Sequence, residues 1–508
     1  MKRRSSPAFW YVPVLFFVSS FLLTSCGNNF YFAGRNLPPS GLANRVLIAE
    51  QTPSALSKGA LPFVDAFYDI RHSFNDAIPS FAISGFSGAL PLTIQNMPEE
   101  EVGAVYGAGD GSFTLVNYAT EKVGSSIKVP GGLSSSIFID RARAFVYAAN
   151  TATHVLSVSS TTTGAGYVLN LPNVYGVSVN PGGSIALAFV QNSTQAPGTS
   201  SCITANPGDN PTQDPSGVPN VACTPPAGQF SVYSVVHLTA AQTTAAANQP
   251  NYLGAQDCEP QNLPQYCIFP VSTGSSASFD HPVKAVFSPD GSTVYVLNCG
   301  PECGGTTASV TTIPITTSDL NTGVTGASGI ALVAQSNIAI PAGVTNAIFN
   351  GTTMYLAGQQ LQSDGLFAGN LTILNTQTNA ITGTYAISDG THNKMVFGDE
   401  NTLWVGSSRC QFGERYKQVQ AGANEQYGCL TMFNTSTNSV LLDSYKGDAT
   451  GIAAITGLDK VYTAEGGQIY IYNTADGSQR DNSNVTVSGT AADVAYMDAP
   501  SDGDNTDY

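Results

Sequence analysis

Residues 283–298, VKAVFSPDGSTVYVLN, hold a complete hairpin. Val283 to Phe287 is a short apolar run. Pro289-Asp290-Gly291 is a tight turn, with proline presetting φ and glycine supplying a positive φ. Thr293 to Leu297 is a second run of β-branched and aromatic residues, as a returning strand needs. Weaker copies of this hairpin recur along most of the chain. A recurrent unit of about 40 residues restricts the fold to a repeat architecture, because a single such unit cannot bury its own apolar face.

Each unit reads as four strands: a, a tight turn, b, a variable loop, c, a turn and d. The a-strands are predicted at Leu92–Asn96, Ser135–Ile139, Gly176–Val179, Lys284–Phe287, Thr345–Phe349, Lys394–Phe397, Gly451–Ile455 and Asp493–Met497. The last has no b-strand after it. The N-terminal end has the complementary gap: Arg45–Ala49 reads as b, Phe63–Tyr68 as c and Ser80–Ser84 as d, with no a before them. Pairing the final strand into the first sheet closes a ring and leaves no open edge. The chain is therefore all-β, a single propeller of four-stranded blades closed by its C-terminal strand. Eight blades are expected; seven is the alternative if Leu92–Asn96 is only a connector.

The FSPDG…VYV pattern, with Asn/Thr turns such as Asn375-Thr-Gln-Thr and Asn434-Thr-Ser-Thr, resembles the YVTN-type β-propeller repeats of bacterial surface and periplasmic proteins. The resemblance covers roughly residues 45–498. It implies a propeller but no single function, since binding proteins, lactonase-like enzymes and quinoprotein-like subunits share the repeat.

The flanks set the compartment. Lys2, Arg3 and Arg4 precede an apolar run, Phe9 to Leu23, that ends in Leu23-Thr24-Ser25-Cys26. The run is short for a membrane span and has the form of an export signal. Its end resembles a bacterial lipobox, which implies cleavage before Cys26 and lipidation of its sulfur. Residues 1–25 are thus expected to be a lipoprotein signal, 26–44 a flexible tether, 45–498 the propeller and 499–508 a disordered acidic tail. Gly27 follows the cysteine, which in the Gram-negative sorting rule favours the outer membrane. Net charge is −16 for the whole chain and −19 without residues 1–25. Such an acidic surface repels phosphate backbones, so nucleic acid is not an expected partner.

Besides Cys26 there are eight cysteines, an even number in an exported chain, which predicts disulfides. Nearness in sequence pairs Cys202 with Cys223, Cys258 with Cys267, Cys299 with Cys303 and Cys410 with Cys429, although other connectivities are open. A metal site seeded at Cys299 and Cys303 is the rival reading; histidines near it are lacking, and no metal is expected. Three of the pairs fall in or beside predicted b–c loops, 190–228, 298–307 and 407–428, and 358–369 reads as a fourth long b–c loop. In an up-and-down blade all such loops leave the same face of the disc. Long c–d loops at 238–265 and 316–329 belong to the opposite face.

Loop 407–429 gathers Arg409, Arg415, Tyr416, Lys417 and Tyr427 in an otherwise acidic chain. Arg and Tyr are the side chains most enriched at binding hot spots, so these five are candidate partner contacts; the bland alternative is a solvated loop. His281 and His392 each stand just before an a-strand, near the expected channel, where two imidazoles at equivalent positions could bind a metal or act as acid and base. The alternative is that each bonds within its own blade. No G-x-S-x-G elbow, P-loop, H-E-x-x-H or C-x-x-C-H motif occurs, and no cofactor is expected. Tryptophan-docked quinoprotein architecture is disfavoured because Trp404 is the only tryptophan beyond residue 10. The leading expectation is a lipid-anchored envelope binding or scaffold protein that is not an enzyme. It would present stapled loops to a protein or glycan. The alternative is a lactonase-like or other hydrolase with its site in the central channel.

Overall fold

The computed structural model describes residues 38–42, 44–52, 59–71, 81–86, 88–96, 101–129, 136–139, 145–150, 155–169, 171, 173–180, 185–191, 230–238, 257–259, 265–315, 332–480 and 485–497. Eight antiparallel sheets follow one another as blades of a β-propeller. The Leu92–Asn96 segment is a true inner strand, Pro91–Asn96, paired with Val102–Gly107. Eight blades, not seven, is therefore the count.

Blade 1 is composite. Arg45–Gln51 pairs on one side with Leu61–Asp65 and on the other with the C-terminal strand Thr490–Tyr496, with Val46 opposite Tyr496 and Ile48 opposite Val494. The Met497 N–H donates to the Arg45 carbonyl at 2.8 Å and completes the seam. Blade 2 spans Pro91 to Lys128, blade 3 Ser136 to Leu169, blade 5 Pro282 to Ala339, blade 6 Asn346 to Ala386 and blade 7 Thr391 to Leu442. Blade 4 runs from Val174 to Pro270 and carries a fifth strand, Asp257–Glu259, built from the long c–d insertion. Blade 8 has three strands between Ala449 and Asn473, and the Tyr472–Gln479 bridge begins its fourth position.

The ring is held by burial between blades. The buried apolar side chains fall into eight clusters, one for each blade–blade interface. Strand alternation explains this. Val46 and Ile48 pack toward blade 8, whereas Leu47 and Ala49, one residue out of phase, pack toward blade 2. All four are fully buried, so the b-strands read as near-continuous apolar runs. Blade 1 is also tied by charge on both sides. Arg45, fully buried, meets Glu121 of blade 2 at 2.7 Å. Lys460 of blade 8 reaches Asp69 at 2.7 Å and the Ala66 carbonyl at 2.7 Å.

Among the described residues no helix is long and apolar enough to cross a membrane. The signal, Cys26, most of the tether and the tail lie outside the described residues, as do Cys202 and Cys223. Two expected disulfides are present, Cys299–Cys303 and Cys410–Cys429. Cys267 is also disulfide-bonded, and the backbone register sets Cys258 opposite it.

Candidate functional site

The b–c loops and the d–a connections share one face of the disc, here the upper face. The 358–369 segment is not a long loop on it. Thr353–Leu361 and Phe367–Asn375 form one extended hairpin paired up to Leu361–Phe367, so only 362–366 turns. The 407–429 loop is likewise more ordered than a solvated loop. It holds a short 3-10 turn, Cys410–Phe412, and a helix, Glu414–Gln420.

Long-range contacts shape that helix. Asp389, buried in the blade 6–7 connection, accepts the Arg415 N–H at 2.8 Å through Oδ2 and the Gly369 N–H at 2.7 Å through Oδ1. Burial raises its pKa despite these bonds. Beside it, Glu302 of the Cys299–Cys303 loop accepts the Gln359 N–H at 2.9 Å and the Gln359 side-chain amide at 3.1 Å. The Gln359 Oε1 accepts the Gly390 N–H at 2.9 Å. Glu302 is fully enclosed, and desolvation pushes its pKa up to about 7. The upper loops of blades 5, 6 and 7 are thus linked in series.

The five loop residues are differently employed. Arg415 donates to the Ile387 carbonyl at 3.2 Å and to Glu425 at 3.2 Å. The exposed Lys417 pairs with Asp364 at 2.7 Å. The Arg409 guanidinium lies 5.3 Å from the centre of the exposed Phe412 ring. Tyr416 and Tyr427 meet edge to face at 5.1 Å. Tyr427 in turn stacks on Tyr445 at 5.3 Å with an interplanar angle of 24°. Tyr445 comes from the blade 7–8 connection and was not visible as a partner in the sequence. Its hydroxyl donates to Gln411 at 2.8 Å and its ring is 38% exposed.

Gln411 and Tyr445 stand at the mouth of the central channel, a cavity of about 1350 Å³ walled by the inner strands. Strand register fixes which residues share a level in it. In six blades the inner strand meets its partner with a register shift, and the residue after the shift, like the first paired residue of the regular inner strands in blades 3 and 6, falls at one height. Around the ring these residues are Asp493, Thr93, Ser136, Gly176, Lys284, Asn346, Lys394 and Gly451. Lys284 Nζ donates to Asn346 Oδ1 at 2.8 Å, and Lys394 Nζ reaches Asp493 Oδ2 at 3.3 Å. Gly451 stands between that last pair; a Cβ there would lie 2.7 Å from Asp493 Oδ1 and 2.6 Å from the Val494 nitrogen.

The two histidines do not join this ring, and neither lines the channel. His392 is buried, and its Nε2–H donates to the Ser388 carbonyl at 2.8 Å. Its Nδ1 meets no polar partner among the described residues. Desolvation lowers its pKa to about 4, so it is a neutral structural imidazole. His281 holds a left-handed backbone with φ 57°. Its Nδ1 lies 2.8 Å from Asp280 Oδ1, and its ring packs 4.1 Å from Phe230. Asp280 also accepts the N–H groups of Thr306 and Thr307 at 2.7 and 2.8 Å. Hydrogen bonds from His281, Thr307 and Thr306 outweigh its burial and lower its pKa to about 2. This pair shapes the blade 5 loop. Among the described residues no group of three or more His, Cys, Asp or Glu could hold a metal ion.

The sequence matches no family model and no curated protein. Solved propeller structures resemble the chain. Hydrazine synthase from Kuenenia stuttgartiensis is 13% identical with a TM-score of 0.43, covering 79% of this chain and 99% of its own. Dihydro-heme d1 dehydrogenase NirN is 10% identical with a TM-score of 0.49, covering 92% and 80%. A protein of unknown function from Desulfotomaculum acetoxidans is 9% identical with a TM-score of 0.42, covering 89% and 99%.

Proposed function

We propose that this chain is a lipid-anchored binding protein of the bacterial envelope and that it grips a glycan with the upper-face loops of blades 7 and 8. The observation that carries the reading is the Tyr416–Tyr427–Tyr445 ladder beside the channel mouth. Stacked tyrosines offer flat apolar faces for sugar rings and hydroxyls for their edges, at low conformational cost. The ladder is held ready in three ways. Cys410–Cys429 closes its loop, Asp389 fixes the start of its helix, and Asp448 accepts the Arg409 N–H at 2.7 Å. A rigid scaffold carrying specialised loops is the usual division of labour in binding propellers. Arg409 and Phe412 extend the surface outward.

The anchor rests on the Leu23–Cys26 box, and two or more acyl chains give stable membrane attachment. Mass spectrometry of residue 26 from membrane fractions should find the lipid; an unmodified Cys26 there refutes the anchor. Binding is tested by titrating the full chain with soluble peptidoglycan fragments and lipopolysaccharide oligosaccharides. The expected result is saturable binding that Tyr427→Ala or Tyr445→Ala weakens by about 1–2 kcal/mol. Binding unaltered by both variants, or none by the wild type, overturns the reading.

A further inference from the structure

We infer that the Phe67-Tyr68 turn of blade 1 is a membrane contact, which seats the propeller with its lower face toward the bilayer and its upper face away from it. The inference rests on the lipid anchor proposed above. The a–b and c–d turns share the lower face, and the c–d turns allow an internal comparison. In six blades a residue of this turn takes a left-handed backbone: Asp69, Glu121, Gly164, Asn379, Asn438 and Gly477, with φ between 53° and 71°. The two residues before it form the exposed tip. They are Ala119-Thr120, Thr162-Thr163, Gln377-Thr378, Ser436-Thr437 and Ala475-Asp476 in blades 2, 3, 6, 7 and 8, small or polar in every case. In blade 1 they are Phe67 and Tyr68.

The turn does not need aromatic residues to close. Asp65 Oδ1 accepts the Phe67 N–H at 2.9 Å, as Asn375 and Asn434 accept those of Gln377 and Ser436 at 3.0 Å. Nor does burial in the blade account for them: Phe67 is 41% and Tyr68 49% exposed, and their rings meet edge to face at 4.9 Å. Two aromatic rings held in water forgo the gain that burial would bring. At the headgroup level of a bilayer the same rings are favoured, with the tyrosine hydroxyl kept wet.

This turn is also where the tether reaches the propeller. The Ser40 N–H donates to Glu121 Oε2 at 2.8 Å on the neighbouring c–d turn of blade 2. The Asn44 carbonyl then accepts the Ala66 N–H at 2.9 Å, and Asn44 Oδ1 accepts the Tyr496 hydroxyl at 2.7 Å. The tether is thus pinned along the lower face, one residue from Phe67. Residues 27–37, which separate this pinned stretch from Cys26, span at most about 40 Å even when fully extended. An anchor at Cys26 therefore draws the Phe67-Tyr68 tip to the membrane before any other part of the disc. Charge at the tip permits the approach although the chain as a whole is acidic. Asp69 is matched by Lys460 at 2.7 Å and Arg480 at 3.5 Å, and Asp65 is buried.

The test uses the full chain purified from membranes and reconstituted into vesicles of phosphatidylethanolamine and phosphatidylglycerol brominated in the acyl chains, which quench nearby tryptophan. Tyr68→Trp reports on the turn and Phe412→Trp on the upper face, and the wild type supplies the background of the buried Trp404. The expected result is loss of most of the emission at position 68, with a shift to shorter wavelength, and no loss at 412. Adding Phe67→Ser to Tyr68→Trp should restore part of the emission, because the second ring that holds the tip in the interface is gone. Flotation with the vesicles is scored separately. A chain that does not float refutes the anchor and this inference with it. A floating chain whose position 68 is not quenched, or is quenched no more than 412, overturns this inference alone. So does quenching at 68 that Phe67→Ser leaves unchanged, since proximity through the tether then suffices.

Discussion

Glu302 and His392 should give the propeller two opposing pH dependences that nearly cancel in the wild type. Glu302 is enclosed between blades 5 and 6, and its pKa is raised from 4.5 to about 7. The folded state therefore holds a proton that the unfolded chain has lost. Its contribution to stability is full below about pH 4.5 and disappears as pH rises through about 7. A shift of that size corresponds to about 3 kcal/mol. His392 runs the other way. Its pKa is lowered from 6.5 to about 4, because burial penalises the imidazolium and Nδ1 meets no acceptor among the described residues. Its contribution is full above about pH 6.5 and is lost, again by about 3 kcal/mol, as pH falls to 4. Urea unfolding from pH 4 to 8 should be run on wild type, Glu302→Gln and His392→Gln. The difference between wild type and Glu302→Gln should fall by about 3 kcal/mol from low to high pH, and that for His392→Gln should rise by a similar amount. Using differences removes the other buried carboxyls, Asp65, Asp389 and Glu465, whose pKa values are also raised. Two flat difference profiles would refute the burial argument at both sites.

Other perturbations test other parts of the architecture. Asp69→Ala should cost about 3 kcal/mol in urea unfolding, because it strips a carboxylate from the buried Lys460 at the blade 8–blade 1 seam. Gly451→Ala should lose about 1–3 kcal/mol in the same assay, since its Cβ would press on the Val494 nitrogen and Asp493. Replacing Cys410 and Cys429 together by alanine opens a 19-residue link and should cost about 3 kcal/mol; hydrogen exchange should speed up across Glu414–Gln420. Truncation after Val487 removes Thr490–Tyr496 and should markedly lower the melting temperature, and an unchanged value would refute ring closure.

The fold was legible because it is written in local signals repeated many times. Pro289-Asp290-Gly291 closes its hairpin as predicted; the Gly291 N–H donates to the Ser288 carbonyl at 2.8 Å, and Asp290 accepts from the Ser292 N–H. The complementary end strands announced the seam between Arg45–Gln51 and Thr490–Tyr496. The upper face was less legible because distant residues decide it. Residues 358–369 read as a loop since Gln359-Gln360 break the apolar pattern, yet Gln359 is buried by its bonds to Glu302, 57 positions away. The helix Glu414–Gln420 has no buried residue of its own, and its first turn is fixed by Asp389 from a different connection. Tyr416 and Tyr427 were visible as candidates, but Tyr445 joins them only through the blade 7–8 connection. His392 lies two residues before Lys394, and the irregularity at Asn393 sends them to different surroundings. The lysine enters the channel wall and the histidine the interior.

The most direct test of the binding reading is photocross-linking in intact cells from positions on the two faces. Phe412 or Tyr445 on the upper face, and Asp290 in an opposite-face turn, would each be replaced by benzoylphenylalanine. The account predicts adducts that carry sugar from positions 412 and 445 and none from 290. Adducts from 290 alone, none from the upper face, or upper-face adducts that contain only protein would contradict it.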